Sequence, residues 1–257
     1  PRAAQFVPRQ ASLSVYWKLD PGTLPNYAEA VASPRKRRDA RDGIKQVRDG
    51  AFALAGLDFE SELADWIGPE LSLAILEPQG SEGPLGWVLA LTSRDQDGAK
   101  RFLQRFWQVR SLSGAELKIN PYRGMGLVSG RSSLLGSEKQ SVATALIDEE
   151  LVLIASGRGV LEQALDVSQL PDQNQLGDQE LSRKIESLGN GIALFIASPS
   201  ALHSWLGLPV SFSERNDIGR LVASLRPESS DLALDALISF KKAFPLDGPV
   251  SGGCHRA

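Results

Sequence analysis

The sequence predicts an α+β protein of two related lobes, each an antiparallel or mixed sheet covered by helices. Three observations predict it. "SLSVYWKL" (12–19) alternates with the period of a strand. Apolar residues from Ala40 to Leu54 recur at spacings of three and four, the period of an amphipathic helix. From residue 142 onward a similar series of strands and helices partly recurs, which divides the chain into lobes at 1–130 and 131–257.

In the first lobe, the strand at 12–19 is expected to bury Leu13, Val15, Trp17 and Leu19 and to turn Ser12, Ser14, Tyr16 and Lys18 outward. "DPGTLP" then reads as a turn, and Pro34 as a first helical residue behind a Ser33 cap. The helix that follows carries Ala40, Ile44, Val47, Ala51 and Leu54 on its inner side and ends at Gly56.

In "GLDFESELADWIGPELSLAILEP" (56–78), Asp58 is placed to cap a short helix over 61–67. Leu63, Trp66 and Ile67 would face inward, Gly68-Pro69 would stop the helix, and "LSLAILEP" would be a buried strand. "PQGSEGP" links this to a second apolar strand, "LGWVLALTS" (85–93). A helix with Ala99, Phe102, Leu103, Phe106 and Val109 inside comes next, then strands at "AELKINPY" and "GMGLVSG". Strand, helices, strand, strand, helix, strand is the split β-α-β order of a ferredoxin-like unit.

In the second lobe, "VATALIDEELVLIAS" is a hairpin turning at Asp148-Glu149-Glu150. "RGVLEQAL" and "QELSRKIESL" are helices, the latter closed by Gly189. "GIALFIAS" is a strand, Ser198-Pro199 opens a short helix, and "DLALDALISF" is an alternating strand with no evident partner after it.

Lys and Arg total 28 against 31 Asp and Glu, a net charge of -3, so no global basic field exists to hold nucleic acid. Positive charge is concentrated instead at Arg35, Lys36, Arg37, Arg38 and Arg41, a run without interleaved aromatics. Two readings fit it: a solvated helix face balanced by Asp39, Asp42 and Asp49, or a dock for anionic lipid headgroups or an acidic partner. The one cysteine, Cys254, supplies neither a disulfide framework nor a thiolate cluster. No window of the sequence is apolar for long enough to span a membrane.

No common catalytic motif is complete. Glycines 124, 126 and 130 miss a dinucleotide fingerprint, and no helix follows to receive a pyrophosphate. Ser239 and Lys242 have serine-x-x-lysine spacing without its partner motifs. His203 and His255 are the two histidines, too far apart in sequence to define a zinc site with no further ligand nearby. Glu60, Glu62 and Asp65 fit the first turns of a short helix, where carboxylates complement the dipole. No catalytic, cofactor-binding or metal-ligating residue is assigned.

"FVPRQASLSVYWKLDPGTL", "GLDFESELADWIGPELSLAILEP", "GWVLALTSRDQDGAKRFLQRFWQ" and "LIDEELVLIASGRGVLEQAL" resemble the blocks of a cyanobacterial family of uncharacterised proteins, domain-of-unknown-function family 3352. The resemblance is strongest at the turn near Trp66 and Gly68. It implies an N-terminal membrane anchor, absent from this chain, followed by an extracytoplasmic α+β region in the periplasm or thylakoid lumen. It brings no activity and no cofactor. The start "PRAAQFVPRQ", without an initiator methionine, agrees with that expectation. The sequence therefore points first to a non-catalytic, membrane-associated interaction or scaffold module, with a membrane protein complex as its partner. A carrier of a small apolar ligand or lipid, and an unrecognised hydrolase, are the alternatives.

Overall fold

The computed structural model describes residues 2–54, 56–78, 85–132, 140–189, 191–206, 218–227 and 232–240. They build an α+β fold on one ten-stranded antiparallel sheet, and the strand order explains its assembly. A central meander holds β1 (Leu13–Trp17), β2 (Ile67–Leu76) and β3 (Gly86–Ser93). On one side β3 pairs with β7 (Leu151–Ala155), which continues through β6 (Gln140–Ile147) and β5 (Met125–Ser132) to β4 (Lys118–Tyr122) at the edge. On the other side β1 pairs with β8 (Ala193–Ala197), followed by β9 (Ile218–Pro227) and β10 (Leu232–Phe240). Every other neighbour in the sheet is also a neighbour in sequence, so only the β1–β8 and β3–β7 ladders join distant segments.

The element order expected of the first lobe is present, but its pairing is that of a meander. β1 lies antiparallel to β2, with Leu13 opposite Ile75 and Trp17 opposite Leu71. A split β-α-β unit would need the intervening helices to lie on the sheet and carry the chain over to a parallel strand. Here α1 (Leu24–Val31) and α2 (Arg37–Leu54) pack chiefly on each other and on the turns at their base, and the chain returns antiparallel. The ladder also runs through positions 130 and 131, since both lie within β5.

Two cores cover the two faces. On one, Tyr16, Ala74, Ala90, Leu153, Ile196 and Val222 meet the N-terminal turn (Ala3–Phe6), α4 (Arg158–Gln169) and α5 (Gln179–Leu188). On the other, Leu89, Leu91, Val152 and Ile154 meet α3 (Gln96–Leu112) through Phe102, Phe106 and Trp107, together with Phe59, Leu63 and Trp66. A strand covered on both faces needs a continuous apolar run, and all five residues of β7, "LVLIA", are buried. A short helix, α6 (Pro199–Leu206), closes a small cluster of Ala197, Ala201 and Leu202.

Several local expectations are corrected. In β1 it is Ser14 and Tyr16 that are buried, while Leu13, Val15 and Trp17 are half-buried. Both hydroxyls donate to the side-chain oxygen of buried Gln175, which offsets their desolvation. "DPGTLP" runs into α1, and α2 begins at Arg37 after a turn through Pro34. Val47 is 66% exposed because α2 buries the row containing Arg48 and Phe52. Val109 is 52% exposed, near the free end of α3, beyond the sheet-facing Phe102 and Phe106. The short helix is a π-helical turn, Phe59–Leu63, and β2 already starts at Ile67, so Gly68 and Pro69 lie in the strand. The last strand has its partner before it: β10 pairs with β9, with Ala236 opposite Ala223.

Candidate interaction surface

The α1–α2 pair is a helical hairpin whose base is fixed by charged groups. Asp20 accepts from the Gly22 amide at 2.8 Å, opening the turn that leads into α1, and also takes Arg94 Nη1 at 2.7 Å. Arg48 holds α2 down. Its side chain is only 4% exposed, pairs with Glu60 at 2.6 Å and Asp49 at 2.8 Å, and lies 3.8 Å above the Phe59 ring. Phe52 completes the cluster, with its ring 5.3 Å from that of Phe59. A buried guanidinium is tolerated here because a planar cation can stack on an aromatic while its edge meets carboxylates. The apolar spacing predicts Val47 inside, whereas the structure exposes it and buries Arg48. The signal was the Arg48-Asp49 pair one helical turn from Phe52, with Phe59 following.

At the far end of the hairpin, Arg35, Lys36, Arg37 and Arg38 are all exposed, and among the described residues none of the four makes an ion pair. Arg41, also exposed, lies 3.5 Å from Glu29 of α1. Arg37 and Arg38 occupy the first turn of α2, where the helix dipole is positive and where cations are disfavoured; Asp39 is the one acid in that turn. The tip therefore concentrates like charge where the backbone adds to it. This arrangement lowers stability unless an anion is nearby.

The carboxylates of the 56–78 segment serve the base. Asp58 accepts from the Ser61 amide at 2.8 Å, and Glu62 accepts from the Asp58 amide at 2.7 Å, a reciprocal cap. The Ser61 hydrogen bonds hold Asp58 below its ordinary pKa, and the hydrogen bond from Arg48 does the same for Glu60. A general acid needs a carboxyl pushed upward by an apolar pocket. Asp58, Glu60 and Asp65 are exposed, and Glu62 is half-buried as a capping partner. An open groove of about 870 Å³ runs between α2 and this turn, with Asp42, Lys45, Asp49, Asp58 and Glu62 among its walls.

The remaining residues singled out in the sequence do not gather at this surface. His203 is half-buried on α6. The side chain of Ser239, and Lys242, Cys254 and His255 entirely, lie outside the described residues. Gly130 is explained by packing, since a Cβ there would stand 3.1 Å from the Trp107 ring. An apolar pocket bounded by Tyr16, Leu176, Ile185 and Leu194 measures about 140 Å³, below the several hundred cubic ångström of typical ligand sites. Among the described residues there is no cluster of ligands that could hold a metal ion, and no helix is long and apolar enough to cross a membrane.

These features define an α+β protein on one antiparallel sheet, with a helical hairpin that carries a basic tip and an acidic base. Residues 1–248 match the family model described as "Protein of unknown function (DUF3352)", and the chain belongs to that family. No curated protein and no solved structure matches it.

Proposed function

We propose that this chain is a non-catalytic interaction module of a membrane-associated extracytoplasmic protein, and that the tip of the α1–α2 hairpin is the part that meets anionic lipid headgroups. The observation that carries the reading is the exposed set of Arg35, Lys36, Arg37 and Arg38 at the positive end of α2, without an ion-pair partner among the described residues. Basic residues near a membrane surface each contribute about 1 kcal/mol of attraction to anionic lipid. Four acting together suffice for reversible, salt-sensitive docking.

The compartment, periplasm or thylakoid lumen, and an anchor preceding residue 1, rest on the resemblance to the cyanobacterial family. In that setting docking would orient the sheet against the bilayer and offer it to a membrane protein complex. The test is flotation of the chain with vesicles of phosphatidylglycerol and phosphatidylcholine. Binding that requires the anionic lipid and fades as salt is raised supports the reading. Equal recovery with both lipids, or none with either, removes it.

A further inference from the structure

We infer that a second site, on the face of the sheet that carries α4, binds a phosphoryl group. A groove of about 510 Å³ opens there, and its walls include Lys118, Ser129, Arg131, Ser141, Arg158 and Glu116. The volume falls within the range of small-molecule sites. The strand register brings the first four of these residues together. Lys118 lies opposite Ser129, and Arg131 opposite Ser141. Positions 129 and 131 alternate with Leu127, which is buried in the core beneath α4, so all four side chains share that face. Lys118 and Arg131 are diagonal neighbours, about 7–8 Å apart at their Cα atoms.

Arg158 is the first residue of α4 and reaches the same groove. Its Nε is held by Glu162 at 2.6 Å, which fixes the side chain. Lys118 and Arg131, by contrast, have no hydrogen-bond or ion-pair partner among the described residues. Glu116 is the one acid of the groove wall and Glu162 already pairs Arg158, which leaves Lys118 and Arg131 as the two cations without a partner among the described residues. Lys118 and Arg131 are exposed and diagonal to each other, so their mutual repulsion is mild, and an anion seated between them would relieve it. Two arginines, a lysine and two serine hydroxyls arriving from β4, β5, β6 and α4 surround a volume from several directions. That disposition suits a tetrahedral oxyanion, with arginine edges and hydroxyls donating to separate oxygens.

The site is distinct from the hairpin tip, whose base packs in the core on the α3 face. It is therefore testable apart from lipid docking. The full chain is titrated calorimetrically with inorganic pyrophosphate at low ionic strength, as wild type, K118Q/R131Q and the tip variant R35Q/K36Q/R37Q/R38Q. Expected is saturable binding, weakened about tenfold or more in K118Q/R131Q, the loss of one charge-assisted hydrogen bond or more, and retained in the tip variant. A parallel arm uses phosphatidic acid vesicles. In the tip variant, where docking through the hairpin is removed, vesicle binding that disappears when K118Q/R131Q is added, without pyrophosphate binding, identifies a lipid headgroup as the source of the phosphoryl group. No saturable pyrophosphate binding together with no vesicle binding by the tip variant, or pyrophosphate affinity unchanged in K118Q/R131Q, overturns the inference. Circular dichroism confirms that each variant is folded, and K118Q alone replaces the pair if it is not.

Discussion

A Cβ atom at Gly98 would lie 2.6 Å from the Cβ of Trp66. That close approach lets α3 sit down on the segment between the π-turn and β2. Trp66 is 2% exposed, donates its indole N–H to the Glu62 carbonyl at 2.7 Å and stacks 4.9 Å from Phe102. Gly98→Ala forces helix and tryptophan apart and is expected to cost about 1–3 kcal/mol. Trp66→Ala empties the site and is expected to cost about 3–5 kcal/mol. Urea unfolding midpoints of the two variants check both, and neither substitution should alter vesicle binding at temperatures where the chain is folded.

Arg48 and its partners are not energetically equivalent. The guanidinium is buried while the Glu60 carboxylate is largely exposed. Arg48→Ala removes the stack on Phe59 and leaves a void, at about 1–3 kcal/mol. Glu60→Ala leaves Arg48 with Asp49 and should cost under about 1 kcal/mol. Arg48→Lys should not restore wild-type stability, because an ammonium cannot stack and bridge in the same geometry.

Acid should weaken the hairpin base. Glu60 is lowered from 4.5 by its hydrogen bond with Arg48, and Asp58 from 3.8 by its bonds with Ser61. A lowered folded-state value means the unfolded chain binds the proton more readily. The contribution is thus present above the unfolded values and is lost as pH falls through the folded ones. In a series of urea midpoints from pH 6 downward, Glu60→Gln should show a shallower acid decline than wild type, and an identical decline would contradict the assignment.

The β6–β7 turn holds two non-glycine residues with left-handed backbone, Asp148 at φ 47° and Glu149 at φ 60°. Hairpin turns of this shape favour Asn or Asp followed by Gly. Glu149→Gly relieves the strain and gives up only an exposed pair with Lys100. Thermal unfolding should show a gain of about 0.5 kcal/mol or more.

Much of this fold is legible locally. The Asp58 cap, the turn at 148–150, the helices of "RGVLEQAL" and "QELSRKIESL", and the burial of Phe102 and Phe106 all follow from spacing and turn chemistry over a few residues. What could not be read depends on contacts between distant segments. The buried side of β1 is decided by Gln175, some 160 residues on, whose side chain satisfies Ser14 and Tyr16. The sheet order is decided by the β1–β8 and β3–β7 ladders. Nothing within "GRLVASLRP" announces that β9 will divide β8 from β10. At the candidate surface, composition alone exposes the basic run. That it forms the tip of a hairpin depends on α1, hidden in a stretch that reads as a turn, and on the clamp at Arg48.

The most direct test of the central claim is flotation with phosphatidylglycerol vesicles of the charge-neutralised tip, R35Q/K36Q/R37Q/R38Q, beside wild type at matched low salt. The tip is exposed and its four cations have no ion-pair partner among the described residues, so the variant should unfold at the wild-type temperature or slightly above it. Loss of most anionic-vesicle binding with stability unchanged is the predicted result. Binding equal to wild type would show that the hairpin tip is only a solvated charge cluster and that the chain meets its partners elsewhere.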